Sequence, residues 1–208
     1  MNTPEKGVLA QPFDSYSSAE RRFLAPVRRI ALAVFRPFVL VLARLGVSPN
    51  AVSLSQVAIG LAIFALIRPA PRLAFVLMVL AILIDGLDGA LARHTGKSSR
   101  YGALVDQYAD HAREILVVAG LAYWGALNGA WAALYALAYT GSNVTLLVCN
   151  SYGTPVPAAI KTAFVFYPAL FIYLWFGVNY LDPAVGLITV LLTAVIARGL
   201  WQLRTAMR

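Results

Sequence analysis

Charge is scarce in this chain. Of its 208 residues only 12% are Asp, Glu, Lys or Arg while 60% are hydrophobic, whereas a soluble domain carries about a quarter charged residues. The shortage excludes an ordinary apolar core wrapped in a charged surface. Cysteine is scarcer still. Cys149 stands alone inside an apolar run, so it can form no internal disulfide and reads as a packing residue. A cleavable leader is not expected either, because Met1 to Ser18 is polar and has no basic segment followed by an apolar one. Insertion is expected to use the chain's own spans. Acidic residues are the rarest charged class: six follow residue 45, and five of them are Asp85, Asp88, Asp106, Asp110 and Glu114.

What is present in quantity is apolar sequence. Long runs cover residues 50–67, 73–84, 115–127, 130–149, 162–178 and 183–197, and several reach the roughly 20 residues needed to cross a bilayer only by including charged neighbours. Short connections are expected at Arg68 to Arg72, His94 to Tyr101, Gly129, Asn150 to Pro157 and Asn179 to Pro183. Upstream, Arg21, Arg28, Arg36 and Arg44 recur at intervals of seven, eight and eight among apolar residues, which makes one basic stripe on a helix that Pro26 and Pro37 bend or restart. A competing reading makes Ile30 to Leu45 a span. Pro49 ends that helix, and Asn50 is placed to cap the next.

The expected fold is therefore all-α and integral to the membrane, with six transmembrane helices preceded by an interfacial amphipathic helix. Residues 1–18 form a disordered or extended tail, 19–46 the interfacial helix and 47–208 the six-span domain. The net charge of +8 does not indicate nucleic acid, since the arginines flank apolar runs and do not lie among stacking aromatics. They suit anionic head groups or substrate phosphates. With six alternating spans, the basic residues fall mainly on one side, and only Arg68 and Arg72 on the other. That asymmetry puts both termini and the His94 to Tyr101 loop in the cytoplasm.

The acidic residues are not scattered. Asp85 and Asp88 are three apart near the end of the second span, and Gly89 and Arg93 continue the same helical face. On the third span Gly102, Asp106, Asp110 and Glu114 recur every four residues and form a second stripe. The short connection makes these helices antiparallel neighbours, and the small Gly86, Gly89, Ala92 and Gly102 let backbones or a substrate approach closely. Carboxylates gathered at membrane depth repel one another and lose hydration, so they must take up protons, pair with cations or bind metal. Hard oxygens suit magnesium or manganese, whereas zinc recruits His or Cys, and His94, His111 and Cys149 have no ligand spacing. Magnesium keeps water and substrate phosphate in its shell, which points to phosphoryl chemistry. Two other readings stay open here: ion coupling in a cation-coupled transporter, and ion pairing with Arg93 and Arg113.

The segment Asp85 to Asp110, DGLDGALARHTGKSSRYGALVDQYAD, resembles the signature of the CDP-alcohol phosphotransferases, D-x-x-D-G-x-x-A-R, eight residues, then G-x-x-x-D-x-x-x-D. Asp85, Asp88, Gly89, Ala92, Arg93, Gly102, Asp106 and Asp110 fill every fixed position. The resemblance implies a metal-dependent enzyme that moves a phosphatidyl or similar phosphoalcohol group from a CDP-linked lipid, such as CDP-diacylglycerol, to an acceptor alcohol with release of CMP. It also implies two Mg2+ or Mn2+ ions on Asp85, Asp88 and Asp106, with Asp110 as a further ligand and the base for the acceptor hydroxyl. Gly89, Ala92, Arg93 and Gly102 are implied to contact the CDP moiety, joined by Ser99, Asn50 and Ser53. A homodimer in the cell (inner) membrane is implied as well.

The signature is shared by users of different acceptors. Arg113, Lys161 and Arg198 are candidates to hold a phosphorylated polyol such as glycerol phosphate or inositol phosphate, if the helix ends meet. Snorkelling to head groups is the competing explanation for these cations. A membrane scaffold is the remaining alternative to enzyme and transporter.

Overall fold

The structure, a computed structural model, describes residues 34–157 and 162–206, and every regular element among them is helical. The tail, Arg21, Arg28 and Lys161 lie outside the described residues. Helix α1 covers residues 34–44 and runs through Pro37. Then follow α2 (Pro49–Leu66), α3 (Pro71–His94), α4 (Arg100–Tyr123) and α5 (Gly129–Ser151). A single 3-10 turn (Thr162–Phe164) leads into α6 (Phe166–Phe171), whose continuation Ile172–Phe176 is π-helical, and α7 (Leu181–Ala206) closes the fold.

α2, α3, α5 and α7 are long and apolar enough to cross a membrane, and a shorter apolar stretch covers Phe166–Phe176. They carry exposed Leu61, Leu73, Val76, Leu80, Leu83, Leu137 and Val190, the outward apolar surface that hydrocarbon requires. The chain is a multi-pass membrane protein. α4 has 24 residues, enough length, but it carries Asp106, Asp110, Arg113 and Glu114 and is the most polar of the long helices.

α2 packs along α4 more extensively than any other pair of helices, and it also packs along α3, whereas α3 and α4 hardly touch despite their short connection. Glycine explains the first contact. A Cβ on Gly60 would lie 3.0 Å from the Arg113 Cα, and one on Gly120 would lie 3.0 Å from the Phe64 Cα. Only small residues allow backbones to pass this closely. α5 pairs with α7 in the same manner, where a Cβ on Gly141 would meet Ile196 at 2.9 Å. Between the two pairs lies a core that includes Ile63, Val117, Leu121, Tyr135, Phe166 and Ile188. α1 covers one end of this bundle, with Phe35 and Val39 packed near Val52, Ala90 and Leu91.

Three expectations need correction. The link before α5 is residues 124–128, because Gly125 adopts φ 74° and Asn128 caps the helix, so Gly129 is its first residue and not a connection. The run 162–178 is not one continuous helix. Pro168 lacks an amide hydrogen and is tolerated in the first turn of α6, so the helix starts only two residues before it. At the start of α2 the cap is Ser48, whose side chain accepts from the Ala51 amide, so the Asn50 amide is not spent on capping.

Candidate active site

The carboxylates meet at the end of the bundle where α2 and α4 begin and α3 ends. Spacing of three on α3 and four on α4 turns each pair to one face, and the four meet in cross-pairs, Asp88 with Asp106 and Asp85 with Asp110. One oxygen from each of Asp85, Asp106 and Asp110 lies within 4.8 Å of the others. Asp88 is buried, accepts the Ser53 hydroxyl through Oδ2 and accepts the Gly89 amide through Oδ1. Asp110 Oδ1 lies 2.8 Å from Nη1 of Arg113. Arg113 in turn donates to Gln56 Oε1 at 2.9 Å, and Gln56 Nε2 donates to the Ala81 carbonyl at 2.8 Å.

Such an arrangement is electrostatically incomplete. Two like charges about 4 Å apart cost about 4 kcal/mol at an effective dielectric of 20, and one guanidinium cannot offset four carboxylates. A donor set made only of hard oxygens, with three already converged, fits a divalent ion of the magnesium or manganese type. Asp85, Asp106 and Asp110 would hold it, with Asp88 beside them.

Next to the carboxylates is a cavity of about 210 Å³ lined by Pro49, Asn50 and Ser53 from α2, Asp88, Gly89, Ala92 and Arg93 from α3, Lys97, Ser98 and Ser99 from the connection, and Gly102, Ala103 and Asp106 from α4. Gly96, at φ 66°, takes the left-handed conformation that turns the chain out of α3, and the Lys97 amide closes back on the Ala92 carbonyl at 2.9 Å. That turn brings Lys97 over the cavity. Ser99 caps α4 by accepting the Gly102 amide at 2.9 Å. Two helix N-termini, Arg93 and Lys97 thus face an acidic wall. Amide dipoles and cations on one side and carboxylates on the other suit a phosphate that arrives with divalent ions.

All seven residues expected around the CDP moiety, Asn50, Ser53, Gly89, Ala92, Arg93, Ser99 and Gly102, line this one cavity. Glycine leaves room twice. A Cβ on Gly102 would come within 3.2 Å of Ser99 Oγ and 3.4 Å of Asn50 Oδ1, and one on Gly89 would come within 3.3 Å of the Arg93 guanidinium. Gly86 does something else: its missing Cβ makes room for Phe35 of α1, not for α4.

Of the candidate acceptor cations, Arg113 and Arg198 are described, on different helices. Arg113 is buried at 4% exposure and serves Asp110 and Gln56, Arg198 is exposed on α7, and Lys161 lies outside the described residues. Glu114 leaves the carboxylate row. It is buried one turn further along α4, turned toward α5 and α6, where it accepts the hydroxyls of Tyr135 at 2.6 Å and Tyr167 at 2.7 Å. Sequence reasoning also missed Gln56, Lys97 and Ser98. Lys97 and Ser98 carried a weak signal, lying in the eight-residue spacer of the signature, whereas Gln56 is a lone polar residue in an apolar run.

The family model for CDP-alcohol phosphatidyltransferase matches residues 46–198. The archaetidylinositol phosphate synthase of Pyrococcus horikoshii is 34% identical over 85 residues, 40% of this chain and 45% of that protein. A phosphatidylinositol phosphate synthase of Mycolicibacterium smegmatis is 33% identical over 95 residues, 45% of this chain and 43% of that one. The chain spans less than half the length of these curated relatives. Among solved structures, the phosphatidylinositol phosphate synthase of Mycobacterium tuberculosis in complex with manganese and citrate superposes with a TM-score of 0.71 at 19% identity, covering 82% of this chain and 89% of that one. The same enzyme with CDP-DAG bound gives 0.68 at 19% identity, over 84% and 93% of the two chains. At this identity the likeness shows a shared fold.

Proposed function

The chain belongs to the CDP-alcohol phosphatidyltransferase family, and on that premise we propose that it transfers a phosphatidyl group from a CDP-linked lipid to a phosphorylated polyol, inositol phosphate in the first instance, releasing CMP. The observation that carries this reading is the juxtaposition of the converged carboxylates with a basic cavity formed by two helix N-termini. Inositol phosphate is preferred over glycerol phosphate because the relatives named above and the superposing enzyme are archaetidylinositol phosphate or phosphatidylinositol phosphate synthases.

In this reading the CDP-lipid pyrophosphate enters the cavity, where Arg93, Lys97 and the first turns of α2 and α4 bind it. Gly89 and Gly102 leave room for it, and Asn50 and Ser99 offer hydrogen bonds. Asp85, Asp88, Asp106 and Asp110 would hold two divalent cations, which would neutralise the phosphates and polarise the phosphorus under attack. Asp110 accepts the proton of the acceptor hydroxyl. The acceptor oxygen bonds to the lipid-bearing phosphorus, the bond from that phosphorus to the bridging oxygen breaks, and CMP departs with the bridging oxygen.

The membrane arrangement belongs to the same proposal. α4 and the 162–176 segment complete six spans, because α4 can keep its charges inward on the site and on Glu114 while the other four spans face lipid. α1 continues the basic stripe as an interfacial helix over the site end, with Arg36 and Arg44 exposed. The far end bears Arg68 over the Trp124 ring and Arg72 over the Trp175 ring, an arrangement suited to the opposite interface. The site end, with both termini, then faces the cytoplasm across the inner membrane, and the protein acts as a homodimer.

The test is CMP release by purified protein given CDP-diacylglycerol, Mg2+ or Mn2+, and inositol phosphate, glycerol phosphate, inositol or no acceptor. Release that requires both the ion and inositol phosphate supports the proposal. Equal release with unphosphorylated inositol would refute the acceptor, and release in excess chelator would refute the metal-dependent reaction.

A further inference from the structure

Asp110 Oδ1 combines two properties that rarely coincide. It lies 2.8 Å from the Arg113 guanidinium nitrogen Nη1, yet this buried oxygen accepts no hydrogen bond. The contact is an ion pair in which the N–H does not aim at the carboxylate. The reason is on α2: one hydrogen of Nη1 goes to Gln56 Oε1 at 2.9 Å, and in the rigid, planar guanidinium that bond fixes the direction of the second, which misses Oδ1. Gln56 is itself fixed, since it is 1% exposed and its other amide atom donates to the Ala81 carbonyl of α3. A guanidinium normally saturates an adjacent carboxylate with hydrogen bonds. Here a neutral amide from another helix sets the plane of the guanidinium, so that the charge stays beside the carboxylate while neither hydrogen of Nη1 aims at Oδ1.

We infer that Gln56 is a positioning residue that holds Arg113 beside Asp110 as a positive charge while keeping its N–H off Asp110 Oδ1. The oxygen is thereby steadied electrostatically with its lone pairs free, to be offered to a divalent ion or to the proton of an acceptor hydroxyl. The inference rests on the reading of Asp110 as a functional carboxylate, and it reassigns Arg113 from acceptor binding to the support of Asp110. It also explains why a polar side chain is buried in α2 among apolar residues.

The experiment compares Gln56→Met, Gln56→Glu, Arg113→Met and the double variant Gln56→Met with Arg113→Met, each checked for folding by size-exclusion profile in detergent. Mn2+ affinity is read by paramagnetic resonance of the free ion, and turnover by CMP release from CDP-diacylglycerol with inositol phosphate. Met keeps the volume of Gln but offers Arg113 no acceptor, so the N–H turns onto Asp110. Mn2+ binding should weaken and kcat should fall, both by about 10- to 100-fold as for other outer-sphere partners, with KM for either substrate within about threefold of wild type. Gln56→Glu reproduces both contacts when one oxygen carries a proton, and should rescue.

The decisive comparison is the double variant. Deleting Arg113 in the Gln56→Met background removes the intruding N–H and should restore Mn2+ affinity to the wild-type value or better. Further weakening of Mn2+ binding in the double variant would overturn the inference, because a role in packing alone predicts that the two losses add. A rise in KM for inositol phosphate alone in Arg113→Met would return that residue to the acceptor site and overturn it as well. If wild-type protein releases no CMP, the proposed reaction fails while the Mn2+ comparison still decides the role of Gln56.

Discussion

Replacing Gly102 by alanine should make the protein more stable and a worse enzyme at once. Gly102 is the third residue of α4, a helical position where alanine stabilises by about 0.5–1 kcal/mol relative to glycine, mainly through the entropy of the unfolded chain. Against this stands the new Cβ, 3.2 Å from Ser99 Oγ and 3.4 Å from Asn50 Oδ1. Ser99 caps the helix through the Gly102 amide, so a shift of a few tenths of an ångström weakens a cap worth about 1 kcal/mol in total. The balance is between zero and about +1 kcal/mol, or a rise in thermal midpoint of up to about 2–4 °C for a chain of this size. The methyl group nevertheless projects into the cavity between the first turns of α2 and α4. Excluding the donor from that position should raise KM for CDP-diacylglycerol about tenfold, the equivalent of 1.4 kcal/mol. The assay is a thermal melt in detergent beside steady-state CMP release over a range of donor concentrations. A variant with an unchanged donor KM would refute the placement of the donor, and one with a midpoint lowered by several degrees would refute the assignment of this glycine to function.

Further expectations concern the rest of the site and its supports. Asp110→Asn keeps shape but not basicity and should cut kcat at least about 100-fold, measured by CMP release, with the protein still folded. Tyr135→Phe removes one of the two hydroxyls that satisfy buried Glu114, and should lower stability by about 1–3 kcal/mol, measured by melting, without changing donor KM. Gly120→Val would force a side chain into the Phe64 backbone, 3.0 Å from the Cβ position, and into Ile67. It should cost about 3 kcal/mol or more and abolish a monodisperse size-exclusion peak.

The carboxylates were legible because intervals of three and four residues are a property of the helix itself, and rarity made them conspicuous among so few acids. Glu114 obeyed the same interval and was misplaced with them. Its row drifts around α4 with distance from Asp106, and its partners Tyr135 and Tyr167 are distant in sequence and look like ordinary aromatics there. Asn50 is expected both as a cap and beside the CDP moiety; Ser48 takes the capping role, and only the structure shows which of two good capping residues does so. Gln56 was illegible in principle, since its significance lies in a partner 57 residues away on α4. The proposed α4 span likewise escapes composition, because the helix that bears Asp106 and Asp110 is the one least like a membrane helix.

The sparse contact between α3 and α4 has a mechanical consequence. Both carry the carboxylates, yet each is braced mainly against α2, which works as the jaw-setting bar of a caliper. The opening is gauged by the thickness of α2 side chains, Ser53 against Asp88 and Gln56 against Ala81 and Arg113, and by the absence of a side chain at Gly60. The spacing of the acids is thus adjustable from a helix that bears none of them, and small changes in the bulk of α2 would reset the aperture while leaving every charge in place.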